Sequence, residues 1–202
     1  MTYFDSKNVF VDQPIEKGLS CASELLNKRS LEMDVFDSYL NGKKVIDLGC
    51  NNGRWSSYFL DKGATFVEGV DIDPTYIESA KVCMATYFSS DKYSFTVANI
   101  VDYTPSNSYD VATIFNTLHY NAPFDQIRKV ASYANTILVE MGLGVENVLD
   151  PNSFHQGGLQ TFITPQLAKE LLTELGFTIT ELASLDDEII GQRARFVAIK
   201  SS

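Results

Sequence analysis

Between Lys43 and Met141 short apolar runs alternate with segments of helical period, and that alternation limits the folds open to this chain. KKVIDLG, ATFVEGVDI, YSFTVANI, YDVATIFN and NTILVEM read as strands, their near-continuous apolar character matching burial on both faces. RWSSYFLDKG, the stretch from Pro74 through Ile77, Ala80 and Met84, and PFDQIRKVASYA read as the helices between them. Strands that alternate with helices build βαβ units with right-handed crossovers and a mostly parallel sheet. Asp73-Pro74 and Thr164-Pro165 are a capping residue followed by a proline suited to the first helical turn, and Gly63 and Gly176 are helix stops. After the helix TPQLAKELLTELG come FTITELAS and RARFVAIK, with no helical pattern between them, so these two strands are expected to pair antiparallel. The expected fold is α/β: a Rossmann-like, mostly parallel seven-stranded sheet with flanking helices and an antiparallel C-terminal strand.

Ahead of the alternation, Ile15, Leu19, Ala22, Leu25 and Leu26 recur at helix spacing, and SLEMDVFDSYL carries Leu31, Val35 and Tyr39 on one side before Asn41 and Gly42. A helical cap over 1–42 and a main domain over 43–202 are expected, one domain overall, as 202 residues suggest. One connection, GLGVENVLDPNSFHQGGLQTFI, is longer than compact domains usually contain, and such loops often carry function.

Composition removes several classes of function. The formal net charge of −10 argues against a long nucleic-acid contact, which needs a basic footprint. Cys21, Cys50 and Cys83 are a sparse set without a CxxC pair, and His119 and His155 are the only histidines, so neither a disulfide framework nor a structural zinc site is expected. The first residues lack the apolar block of a secretory signal, and no apolar run is long enough to span a bilayer. A cytoplasmic protein without a membrane partner is expected.

The first strand ends in VIDLGCNNGRW. Gly49 and Gly53 permit positive φ or a close ligand, and Asn51 also tolerates left-handed geometry. The dinucleotide fingerprint GxGxxG fails, because Asn51 and Arg54 stand where glycines are required, and no GK[ST] follows to make a phosphate loop. The stretch instead resembles motif I of the class I S-adenosylmethionine-dependent methyltransferases, D-x-G-x-G-x-G, with Asp47, Gly49, Asn51 and Gly53 in its places. The second strand ends GVDIDP, with Asp71 in the place of that family's ribose-binding acid. The likeness runs from about Lys43 to Lys200.

That resemblance implies S-adenosyl-L-methionine as cofactor. Asp47 would face the methionine amino group, directly or through water. Gly49, Cys50, Asn51 and Gly53 would form the loop around the cofactor, Cys50 as a small packing residue. Asp71 would accept from the ribose hydroxyls, and Ile72 would pack on the adenine. Asn99, beside Ile100, stands where relatives often carry an acid and would meet the adenine amine through its carbonyl oxygen. Asn116 ends the fourth strand near the methionine end. His119, within a turn of it, is the candidate general base, while Tyr120 and His155 are weaker candidates. Glu140 reads as a solvated strand-end carboxylate and Trp55 as core. The expected activity is methyl transfer to a small-molecule or sugar acceptor, on oxygen. The alternatives are an RNA enzyme like those that alkylate wobble uridine with carboxylated S-adenosylmethionine, which LHYNAPFDQIRKVASYANTILVE resembles, and a non-catalytic cofactor-binding regulator.

Overall fold

The computed structural model describes residues 33–118, 122–142, 154–155, 158–159, 163–187 and 191–201. The helical pattern read over 1–32 therefore lies outside the described residues, as do His119 and Tyr120. The chain enters through a 3-10 helix, Asp34–Tyr39, where the SLEMDVFDSYL pattern had suggested an α-helix. Gly42, at φ 75°, turns it into β1, Lys44–Leu48. There follow α1 (Arg54–Asp61), β2 (Phe66–Asp71), α2 (Pro74–Tyr87), β3 (Tyr93–Val97), β4 (Val111–Phe115), α3 (Pro123–Val130) and β5 (Thr136–Gly142). The long connection contains two short strands, β6 (Phe154–His155) and β7 (Gly158–Leu159), paired antiparallel, which the sequence pattern did not reveal. The chain continues with α4 (Pro165–Glu174), β8 (Phe177–Glu181), β9 (Leu185–Asp187) and β10 (Gly191–Lys200).

The main sheet has the order β3-β2-β1-β4-β5-β10-β8, with β9 paired to β10. The pairings among β1 to β5 are parallel, and β10 runs antiparallel to both β5 and β8. The expected mostly parallel sheet with an antiparallel C-terminal strand is the one observed. Two helix starts follow the capping rule: Asp73 Oδ1 accepts from Thr75 N–H at 2.7 Å ahead of Pro74, and Thr164 Oγ1 accepts from Leu167 N–H at 3.2 Å ahead of Pro165.

Because successive strand residues face opposite ways, the sheet sorts its apolar side chains into two layers. Val45, Val67, Val111, Leu138 and Val197 pack with Met33, Phe36 and Leu40 of the entry segment and with Tyr58 and Phe59 of α1. Ile46, Val70, Ile114, Val139 and Phe196 pack with Ile127 of α3 and with Ala168, Leu171 and Leu172 of α4. Each large side chain buried there contributes roughly 1.5–3 kcal/mol relative to exposure. Phe36 stacks on Phe115 with centroids 5.3 Å apart, and Trp55 meets Phe115 edge-on at 6.1 Å, so Trp55 does join the core. The entry segment is thus part of the hydrophobic interior where it is described.

Strand order fixes where a ligand fits. From β1 the chain steps outward to β2 and β3, then returns to place β4 on the other side of β1. The connections leaving β1 and β4 diverge, and open α/β sheets bind ligands in the crevice this makes at their carboxyl ends.

Candidate functional site

The loop between β1 and α1 is set by steric demands at three positions. Gly49, Asn51 and Gly53 have φ of 74°, 50° and 77°. A Cβ on Gly49 would lie 1.9 Å from Cγ2 of Thr117, so the β4 end rests directly on this backbone. A Cβ on Gly53 would lie 3.0 Å from Cβ of Ala80 and 3.1 Å from the Phe95 ring.

Every amide from 49 to 53 is engaged within the protein. Gly49 and Cys50 N–H donate to the Val70 carbonyl at 2.8 and 3.1 Å, and Gly53 N–H donates to that of Cys50 at 3.0 Å. Asn51 N–H donates to Asp71 Oδ2 at 2.8 Å, and Asn52 N–H to Asn51 Oδ1 at 2.7 Å. A phosphate loop works by aiming unsatisfied amides at an anion. This loop has none to aim, and its chemistry suits a cationic or neutral ligand.

Two carboxylates lie beneath and beside it. Asp47 is 1% exposed; its Oδ2 accepts from Ser56 Oγ at 2.6 Å and its Oδ1 from Thr113 Oγ1 at 2.9 Å. It therefore ties β1 to the first turn of α1 and to β4, with both of its oxygens engaged within the protein. Burial raises its pKa to about 6, against the opposing effect of the two hydroxyls, and the nearby Asp71 adds to the rise. Asp71, half-buried at the tip of β2, accepts from Asn51 N–H and, through Oδ1 at 3.0 Å, from Asp73 N–H. Each oxygen keeps a second lone pair. Burial pushes its pKa upward, opposed by these backbone donors. Asp73, not Asp71, caps α2. Ile72, next in line, is 67% exposed, an uncovered apolar surface at the same edge.

Ile100, Cys50 and Asn99 have partners within the protein. Ile100 is buried in the layer against α3 and α4, so it supports the site from within. Cys50 is buried, its thiol pKa driven upward by desolvation, and its side chain lies against Gly69, where a Cβ would be 2.9 Å from Sγ. Only its backbone faces the loop's role. Asn99 is exposed, but its Oδ1, the atom expected to meet an adenine amine, already accepts from Val101 N–H at 3.1 Å. Its side chain starts the turn after β3. That turn is anchored by Glu68, 5% exposed, which accepts from Tyr103 Oη at 2.5 Å and from Tyr109 Oη. Burial and the carboxylate together raise both phenol pKa values.

At the end of β4, Asn116 adopts φ 57°. Its Nδ2 donates to Glu140 Oε1 at 2.9 Å, and its Oδ1 accepts from Arg193 Nη1 at 2.7 Å. Glu140 is fully buried, which overturns its reading as a solvated strand-end carboxylate. Ser56, Thr113, Thr117 and Arg193 were missed by sequence reasoning. Ser56 alone left a trace, as a hydroxyl in the first turn of the helix after the motif.

The fold order, the strained loop after β1 and the carboxylate after β2 together define the class I S-adenosylmethionine-dependent methyltransferases. Residues 45–142 match the family described as a methyltransferase domain. The matched segment is a methyltransferase domain of that superfamily, whose members use S-adenosylmethionine. The chain is 30% identical over 94 residues to a ubiquinone biosynthesis O-methyltransferase of Neisseria meningitidis, covering 45% of this chain and 39% of the relative. It is 37% identical over 78 residues to a ribosomal protein L11 methyltransferase of Photorhabdus laumondii, covering 38% of this chain and 25% of the relative. The chain therefore spans well under half of these relatives' lengths. Among solved structures, magnesium protoporphyrin IX methyltransferase from Synechocystis with bound SAM superposes with a TM-score of 0.68 at 18% identity, covering 98% of this chain and 88% of that one. At that identity the likeness is one of fold.

Proposed function

We propose that the chain transfers a methyl group from S-adenosylmethionine to an oxygen of a small-molecule acceptor. The observation that carries the reading is the pairing of a loop whose amides are all engaged internally with Asp71 and the exposed Ile72 at the adjoining strand tip. Such a loop cannot cradle a phosphate, whereas a carboxylate beside an apolar surface suits a nucleoside. The O-methyltransferase relative and the net charge of −10 favour a small acceptor over a nucleic acid.

When bound, the cofactor supplies an electrophilic methyl on a sulfonium. The remaining work belongs to this chain. Asp71 would hold the ribose hydroxyls with its remaining lone pairs, and Ile72 would pack against the base. Asn99, whose oxygen serves the turn, would border the base. Backbone 49–53 would line the methionine end, with Asp47 beneath providing negative potential, and Asn116 would border the reacting centre. His119 is proposed as the group that takes the acceptor's proton, a role expected to add about 10²- to 10⁴-fold in rate. Orientation of donor and acceptor is the larger effect, up to roughly 7–11 kcal/mol in favourable cases.

Calorimetric titration with S-adenosylhomocysteine tests the site: the unaltered protein should release or absorb heat at one site, and Asp71→Ala should bind at least about tenfold more weakly. Absence of binding to both donor and product would end the reading. Incubating cell extract with methyl-labelled donor, then separating small molecules, RNA and protein, tests the acceptor. Label in the small-molecule fraction is expected, and label confined to RNA or protein would replace that assignment.

A further inference from the structure

Asn116 is held from three directions by groups on other strands. Its N–H donates to the Glu140 carbonyl at 2.8 Å, its Nδ2 to the Glu140 carboxylate at 2.9 Å, and its Oδ1 receives Arg193 Nη1 at 2.7 Å. Turning the amide over would set its N–H₂ against the guanidinium and its oxygen against the carboxylate, so both ends specify one orientation. Arg193 belongs to β10, two strands from β4, and crosses β5 above its register partner Gly142. A Cβ at Gly142 would lie 3.2 Å from Nη1, so the missing side chain leaves the passage. Immediately after Asn116, Thr117 turns over the motif loop, its methyl in the space a Gly49 Cβ would take.

We infer that Arg193 and Glu140 are positioning residues: by fixing Asn116 in its left-handed conformation they set the β4 end over the loop after β1, and so determine how the methionine end of the cofactor is held. Three features separate this from a purely structural ion cluster. It sits at the carboxyl edge, on the strand beside the crevice. It acts on a residue of positive φ, which such sites often contain. And a buried charged group is no more stabilising than apolar packing of the same volume. The inference rests on the cofactor reading above.

The reasoning predicts a selective effect. Asp71 and Ile72 stand at β2, on one side of β1, and Asn116 at β4, on the other, so the adenosine end and the methionine end meet different strands. Affinity for S-adenosylhomocysteine and for 5′-methylthioadenosine, which lacks the amino-acid carbons, is to be measured by calorimetry for the unaltered protein and for Arg193→Met, Arg193→Lys and Gly142→Ala. Thermal melts confirm folding. The expected result is about tenfold weaker S-adenosylhomocysteine binding in Arg193→Met, the order of one charge-assisted hydrogen bond, with methylthioadenosine affinity within about twofold. Arg193→Lys should recover part of the loss. Gly142→Ala, which presses the guanidinium by a few tenths of an ångström and removes no charge, should reproduce a small part of it. Equal losses for both ligands, or none for either, in folded variants would overturn the inference. An unaltered protein that binds neither ligand would instead overturn the cofactor reading.

Discussion

Gly49 combines two constraints that are separable by mutation. Its φ of 74° disfavours any other residue by about 1–2 kcal/mol, and a Cβ would meet Thr117 Cγ2 at 1.9 Å. Gly49→Ala should therefore lower stability by roughly 2–4 kcal/mol in urea denaturation. Adding Thr117→Ser, which removes the offending methyl, should recover the steric part and leave the backbone part. Asp47 makes a prediction in pH. Its pKa is about 6 in the folded protein, above the 3.8 of an unhindered carboxyl, so the native state holds the proton more tightly. The associated stability is complete below pH 3.8 and is lost as pH rises through 6, by about 3 kcal/mol at most. Relative to Asp47→Asn, the unaltered protein should lose stability across this window, and parallel curves in paired denaturation series would contradict the assignment. Gly49, Asp47 and Asp71 could be picked out from sequence because the family resemblance is carried by one local strand-loop-helix-strand unit. Arg193 could not, because its partner lies 77 positions away across an intervening strand and no period links the two.

Elements were legible wherever burial imposed a period. All five parallel strands fall on the apolar runs and the four described α-helices on the segments of helical period, two of them started by a capping side chain. The 3-10 entry helix departs from its pattern: Met33, Phe36 and Leu40 are the buried residues, while Val35 and Tyr39, read as its packed side, are only partly buried. The two small strands of the long connection, two residues each, are below the length at which a period of 2 can be seen. The start of α3 carries a local conflict: Ala122, exposed and at φ 54°, precedes Pro123 in a conformation alanine tolerates poorly. Ala122→Gly should stabilise the protein by about 0.5–1 kcal/mol, the left-handed penalty less the entropy glycine adds to the unfolded chain. A fall in the urea midpoint would show that surrounding contacts outweigh the backbone term.

At the scale of the molecule, the sheet is divided by chain order. β1 to β5 assemble from neighbouring segments, while β10 pairs with β5 over seven residue pairs and with β8 over five. Val197, fully buried at the middle of β10, is in register with both Leu138 and Thr180. Val197→Pro should abolish cooperative unfolding, since a proline in an interior strand removes a ladder bond and strains its neighbours. Retention of a sigmoidal thermal transition in circular dichroism would contradict that. The same topology has a consequence during synthesis. β8 leaves the ribosome before β10 yet has no place in the sheet until β10 arrives to separate it from β5. Through that interval the flank of β5 presents unpaired backbone groups to whatever is nearby, and chaperone demand should track the time taken to translate the hairpin that closes it.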